Sequence, residues 1–129
     1  TAQSSIKFMA FSFTLEPLAN VLLERAADDV VVEGVFETIG ADTTASRLRQ
    51  LRCAGLDARV DGNPYRLHHK VFIIDETTVV FGSFNFSNSA ADTNDENLVI
   101  ISDRDFAAQF NAEYLRVKQR ATAPQITCR

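Results

Sequence analysis

The stretch HHKVFIIDETTVVFGSFN, His68 to Asn85, decides the reading of this chain. Its halves, HHKVFIID and TVVFGSFN, are rich in Val, Ile, Phe and Thr and flank the short polar break Glu76-Thr77, which predicts a β-hairpin. A two- or four-residue loop centred on that break pairs Ile74 with Val79, Phe72 with Phe81, Lys70 with Ser83 and His68 with Asn85. All eight then share one face. The pairs nearest the turn make an apolar floor, and His68, Lys70, Ser83 and Asn85 gather as a polar cluster at the open end. A nucleophile candidate, a cation, a hydroxyl and an amide in one neighbourhood suit a phosphate, whose oxygens take several convergent donors. Gly82 beside them lets backbone and ligand approach closely. A three-residue loop would instead put the two polar pairs on opposite faces, so register decides this expectation.

Outward from the hairpin, the chain alternates strands and helices. Residues 5–13 read as a near-continuous apolar strand, after which Thr14 caps a helix with Pro17 in its first turn and Asp28-Asp29 at its end. Residues 30–36 (VVVEGVF) are a second buried strand, completing a βαβ unit with a right-handed crossover. The loop 37–44 follows at that strand's carboxyl end, where open sheets collect ligands, so Glu37 belongs to a candidate rim. Thr43 or Thr44 then caps a helix that turns Leu48, Leu51 and Ala54 inward and stops at Gly55. Residues 56–60 form a short third strand and 61–64 a turn. After the hairpin, 86–96 is a polar loop or short helix over the site, and 97–101 is another strand. Ser102 to Asp105 has capping-box spacing before an amphipathic helix carrying Phe106, Phe110, Tyr114 and Val117. The tail after Arg120 is expected to fray. The fold class is α/β: a mixed, largely parallel β-sheet flanked by helices, in a single domain over residues 1–129.

Composition is that of a globular protein, with 46% apolar and 23% charged residues in 129. No apolar run approaches a membrane span. The compartment is left open between cytoplasm and export, because the chain begins at Thr1 rather than Met. Cys53 and Cys128 have no zinc-type spacing and read as bystanders, with a disulfide between helix end and tail as the alternative. The net charge of −4 weighs against holding nucleic acid by bulk electrostatics. Its distribution is uneven, however: Arg47, Arg49, Arg52, Arg59, Arg66 and Lys70 lead into the hairpin, either as a polyanion track or as an ordinary solvated face.

His68, Lys70 and Asp75 form HxKxxxxD, and Gly82 to Asn85 form GSxN. The compound pattern, on a hairpin, resembles the phospholipase D superfamily, and the single copy is similar to its bacterial endonuclease-type members; the likeness spans roughly Ser5 to Lys118. The resemblance implies that His68 attacks phosphorus to give a phosphohistidine that water resolves. It further implies that Lys70 and Asn85 hold the phosphoryl oxygens, that Ser83 assists, and that Glu96 orients and charges the histidine. Asp75, facing away on the expected register, and Gly82 are given supporting roles.

The residues alone lead to compatible chemistry. An imidazole, with a reference pKa of about 6.5, is a competent nucleophile at neutral pH, and Lys70 with the amide would stabilise charge on equatorial oxygens. The leaving alkoxide needs a second acid, while His69, the only other histidine, points to the opposite face of the strand. A two-fold homodimer with the active site at its interface would supply it from the partner's copy of His68, as the resemblance also implies. No metal or cofactor is required. The substrate is a phosphodiester, and nucleic acid is favoured over lipid. A phospholipase acting on lipid head groups is the alternative, and would want an apolar rim near the mouth; a non-catalytic nucleic-acid-binding module is the second alternative. Phe84 and Phe86 flank Asn85 and are weighed as base-stacking groups against a core role; Phe84 and Arg66 are the substrate-binding candidates. Asn88 and Asn94 read as loop-capping residues, and His69 as packed or partnered on the far face.

Overall fold

The apolar run at the start of the chain becomes β1 (Ser5–Ala10), which lies at the middle of the sheet because it is buried on both faces. In this computed structural model, which describes residues 1–128, it is followed by α1 (Glu16–Ala27), β2 (Val31–Phe36), α2 (Leu48–Cys53), β3 (Asp57–Val60), β4 (Lys70–Ile74), β5 (Thr78–Gly82), α3 (Asn88–Asp92), β6 (Leu98–Ser102) and α4 (Arg104–Arg120). The six strands form one mixed sheet in the order β3-β2-β1-β4-β5-β6, flanked by helices as expected. β1, β2 and β3 pair in parallel; β4, β5 and β6 join antiparallel. β1, β2, β3 and β5 therefore run one way and β4 and β6 the other, although only two of the five pairings are parallel.

Alternation along the strands sorts the core into two layers. On one face Ile6, Phe8, Ala10, Val32, Phe36, Ala58 and Phe72 meet α1 and α2. Phe8, Phe13, Phe36, Phe72 and Phe86 make a ring-to-ring cluster there with centroids 4.7–6.4 Å apart. Gly34 lies opposite Phe8, where any Cβ would collide with the ring, so a glycine in mid-strand is required. On the other face Met9, Val35, Val71, Ile73 and Val79 pack against Ala107, Tyr114 and Val117 of α4.

Several expected boundaries move by one or two residues. The N-cap of α1 is Leu15 and not Thr14, because the N–H groups of both residues bind the Phe86 carbonyl at 2.8 Å. α2 is capped at Arg47 rather than Thr43 or Thr44, and Ala54 faces solvent. At α4 the cap is Asp103, which accepts the Phe106 N–H at 2.8 Å; Ser102 ends β6 and bonds Thr78 across the strands. The tail does not fray. Thr122 exchanges two backbone hydrogen bonds with Val60, Ile126 packs on the core, and Cys53 and Cys128 form a disulfide with Cα atoms 5.6 Å apart.

The hairpin register is the main correction. Thr77 N–H binds the Ile74 carbonyl with Asp75 and Glu76 at φ 53° and 56°, and Thr78 pairs with Ile74 across a three-residue connection. Left-handed backbone at two consecutive positions is usually signalled by Asn-Gly or Asp-Gly, absent here. Phe72 thus faces Val80 rather than Phe81, and Val79 and Phe81 turn to the α4 side. The eight residues expected to share a face are split between two.

Asp75 sits at this turn, about 20 Å along the ribbon from His68 at the usual rise per residue. Its carboxylate accepts the N–H groups of Gln3, Ser4 and Ser5 and the Ser4 hydroxyl at 2.7–3.1 Å. Burial opposes ionisation, but these donors outweigh it and hold the pKa at about 2. The resulting stabilisation is complete above the ordinary carboxyl value near 4 and is lost as pH falls through about 2. Asp75→Asn is expected to cost about 1–2 kcal/mol at pH 7 after allowing for solvent screening, a deficit that shrinks between pH 4 and 2 in denaturant melts. Cutting the 75-residue disulfide link by Cys53→Ser is expected to cost about 2–4 kcal/mol in the same assay.

Candidate active site

One edge of the sheet gathers the polar groups. The carboxyl ends of β1, β2 and β5 and the starts of β4 and β6 all lie there, because β4 and β6 run against the rest. At that edge Phe11 N–H binds the His69 carbonyl at 2.9 Å, and Phe86 N–H binds the Ser12 carbonyl at 3.1 Å. The segment after β1 is thus flanked by the backbone on both sides of the HxK and GSxN motifs.

His68 is exposed and Lys70 is buried at 7% exposure. Two residues apart on an extended chain, their side chains share a face, and Lys70 Nζ lies 3.0 Å from His68 Nδ1 and 2.8 Å from the His68 carbonyl, to which it donates. Phe11 closes the group, its ring centroid 4.5 Å from the imidazole and 5.2 Å from Lys70 Nζ. Burial pulls the Lys70 pKa below its ordinary value, with the charge of Glu96 acting against that. An ammonium so placed is short of water and well disposed to take an anion.

Ser83, Glu96 and Asn94 form the second group. Ser83 Oγ donates to Glu96 Oε2 at 2.5 Å, and Asn94 Nδ2 donates to Glu96 Oε1 at 3.3 Å. The register sets Gly82, not Ser83, opposite Lys70, so Ser83 does not reach the site by strand alternation. It reaches it because β5 ends at Gly82, after which Ser83 N–H turns to the Asn97 carbonyl and side chain. The space freed at Gly82 is filled by the Asn97 carbonyl and not by a ligand: a Cβ would strike it. The charge of Glu96, felt at Lys70, links the groups; Glu96 makes no hydrogen bond to His68.

Asn85 Oδ1 is buried without a hydrogen-bond partner among the described residues. That oxygen is an acceptor, which a water could complete, while the Nδ2 end of the amide is the one able to donate to a phosphoryl oxygen. Phe86 is core, and Phe84 is half-buried against the same core, so neither stands as a free stacking surface. Asn88 opens α3 behind the Ser87 cap. The exposed aromatic near His68 is Tyr65, 81% exposed, beside exposed Arg66; a Tyr in a turn carries no periodic signal. Phe11 was masked inside an apolar run.

The arginine track largely dissolves. Arg47 binds the Thr14 carbonyl and approaches Glu16, Arg52 binds the Ala58 carbonyl and Arg59 pairs with Asp57. His69 points to the α4 face, 3.2 Å from Glu113. Among the described residues no cluster of His, Cys, Asp and Glu could hold a metal ion. No helix among them is long and apolar enough to cross a membrane.

The family model described as "Cardiolipin synthase, PLD-like domain" matches residues 1–118. The chain belongs to the phospholipase D superfamily. Similar members include a mitochondrial cardiolipin hydrolase of Xenopus tropicalis, 31% identical over 92% of this chain and 56% of its own length. A phospholipase D of Rickettsia conorii is 32% identical over 91% and 58%. The chain thus spans a little over half the length of these relatives. The crystal structure of Nuc, a phospholipase D family member from Salmonella typhimurium, superposes with a TM-score of 0.93 at 30% identity, covering 98% of this chain and 85% of that one. Gly82 in the GSxN stretch is under a steric constraint, since a Cβ there would strike the Asn97 carbonyl. Gly82→Ala is expected to cost about 1–3 kcal/mol by overpacking and to displace Asn97 and Glu96, read as a lowered melting midpoint.

Proposed function

We propose that this chain is the catalytic unit of a metal-independent phosphodiesterase in which His68 is the nucleophile, and that its substrate is nucleic acid. The observation that carries the reading is the exposed His68 imidazole held at 3.0 Å by a buried, poorly hydrated ammonium. A phosphoryl oxygen competes for Lys70 Nζ, freeing the imidazole to attack. The His68 ring nitrogen forms a bond to phosphorus, the bond to the leaving oxygen breaks, and that oxygen takes a proton from a second imidazole. Water then attacks phosphorus, its proton goes to the second imidazole, and the P–N bond breaks. Asn85 and Lys70 receive the phosphoryl charge, and Ser83 with Glu96 braces the far side.

The second imidazole has to come from outside this chain, because His69 is engaged with Glu113 on the opposite face. A second copy is the occupant we assign to the apolar groove of about 360 Å³ between α1 and the β4–β6 ribbon, lined by Leu18, Val21, Ile74, Val80, Phe84 and Leu98. The groove runs from Ile74, at the Asp75 end of the ribbon, to Leu98, which pairs with Gly82 at the end that carries His68, and it is at this second end that the partner's imidazole would enter. Exposed Tyr65 and Arg66, in the loop that leads into His68, offer a nucleic-acid strand stacking and phosphate pairing next to His69. The internal pairing of most arginines, and relatives named phospholipase D and cardiolipin hydrolase, favour the lipid reading.

Incubation with single-stranded DNA, RNA, phosphatidylcholine, cardiolipin and a chromogenic diester, chelator present throughout, separates these readings. Cleavage of nucleic acid and chromogenic diester is expected, with His68→Ala losing at least about 10³-fold. Lipid cleavage alone would replace the substrate, and turnover by His68→Ala would remove the nucleophile. Leu98→Glu is expected to yield monomers and to abolish turnover; active monomers would refute the shared site.

A further inference from the structure

We infer that Glu37 is a positioning residue for His68, holding the backbone at Leu67 so that the imidazole is presented at the sheet edge; this rests on the phosphodiesterase reading above. Glu37 follows β2 and is only 5% exposed. Among the described residues it has no ion pair. A buried carboxylate without a cation is costly unless its oxygens are well supplied with donors. The donors here are two backbone N–H groups: Ile39 at 3.2 Å, and Leu67, 30 residues away, in a short hydrogen bond to Oε2.

Leu67 is the residue before His68. Residues 61–69 belong to no helix or strand, so nothing periodic fixes the nucleophile's backbone. Three consecutive residues are held instead by three separate contacts. Leu67 N–H goes to Glu37, the His68 carbonyl takes Lys70 Nζ at 2.8 Å, and the His69 carbonyl takes Phe11 N–H at 2.9 Å. Two of these come from elements already in the site. Glu37 is the remaining one, and among the described residues it is the one side chain bonded to the backbone of residues 64–67. Its own backbone is fastened to the sheet, since Glu37 N–H binds the Ala10 carbonyl at 2.9 Å. The tether therefore runs from the rigid end of β1 and β2 to the residue before the nucleophile. A small displacement of a reacting group costs up to about 100-fold in rate.

The test compares wild type with Glu37→Gln and Glu37→Asp. Gln keeps the length and one weaker acceptor, whereas Asp keeps the charge but falls one methylene short of Leu67. On a chromogenic diester, kcat is expected to fall about 10- to 100-fold for both with KM within about twofold. Because a smaller folded fraction lowers apparent kcat at unchanged KM, turnover is normalised to folded protein measured by circular dichroism; a normalised kcat equal to that of the wild type would mark a merely structural role and overturn the inference. Amide exchange at Leu67 gives a readout independent of turnover. It is expected to be slow in the wild type despite the irregular backbone, and fast in Glu37→Asp with β1 and β4 unchanged. Fast exchange in the wild type would overturn the tether. Wild type inactive on every diester, with Leu67 still protected, would sink the phosphodiesterase reading and leave the tether standing.

Discussion

The site depends on the antiparallel pairing of β4 with β1. Ala10 faces Lys70 across that ladder, and Phe11 N–H continues it to His69. Because β2 runs parallel to β1 on its other side, the same rung brings Phe36, and then Glu37, to the same edge. β5 returns in the direction of β1, so Gly82 and Ser83 finish there too. A parallel β4 would have required a crossover and would have exchanged its ends, sending His68 to the edge where Gln3 to Ser5 lie and Asp75 to the other. One choice of strand direction thus separates the reacting edge from the edge where Asp75 clasps Gln3 to Ser5.

The groups at that edge are not held by one kind of force. Lys70 is retained by desolvation, aromatic contact with Phe11 and donation to the His68 carbonyl. Glu96 is retained by a hydroxyl and an amide. The charges of the two meet without a direct ion pair. Such an arrangement leaves the ammonium's strongest partner to be supplied by substrate, which is what stabilisation of a developing phosphoryl charge needs. Asn85 is half-buried with an unpaired Oδ1, an acceptor that only a donor such as water can complete, which leaves its Nδ2 as the end that can meet a phosphoryl oxygen.

Strand and helix identities were legible because apolar period and punctuation agree: the run at 5–10, Pro17 in the first turn of α1, Gly55 after α2. The motif residues were legible from spacing. Register was not, since Asp75 and Glu76 adopt left-handed backbone without the glycine that usually announces it, and their conformation is fixed by a partner 70 residues away. The polar cluster was therefore expected for the wrong reason. Ser83 meets Glu96 because β5 ends at Gly82 and Ser83 N–H turns to Asn97, not through the pleat. The arginines after Thr44 read as a track because their partners, carbonyls at Thr14 and Ala58 and the Asp57 carboxylate, are chosen by tertiary structure. The ordered tail escaped notice for the same reason, its anchors being Val60 and Cys53.

The proposed turnover passes through a covalent step at one imidazole, that of His68. Mixing the protein with a chromogenic diester, quenching in alkali within one turnover and mapping the peptides by mass spectrometry tests it most directly. The expected result is a phosphoryl adduct, stable to alkali and labile to acid, on the peptide carrying His68-His69 and assigned by fragmentation to His68. Turnover with no adduct at any quench time, or an adduct on a different residue, would contradict it.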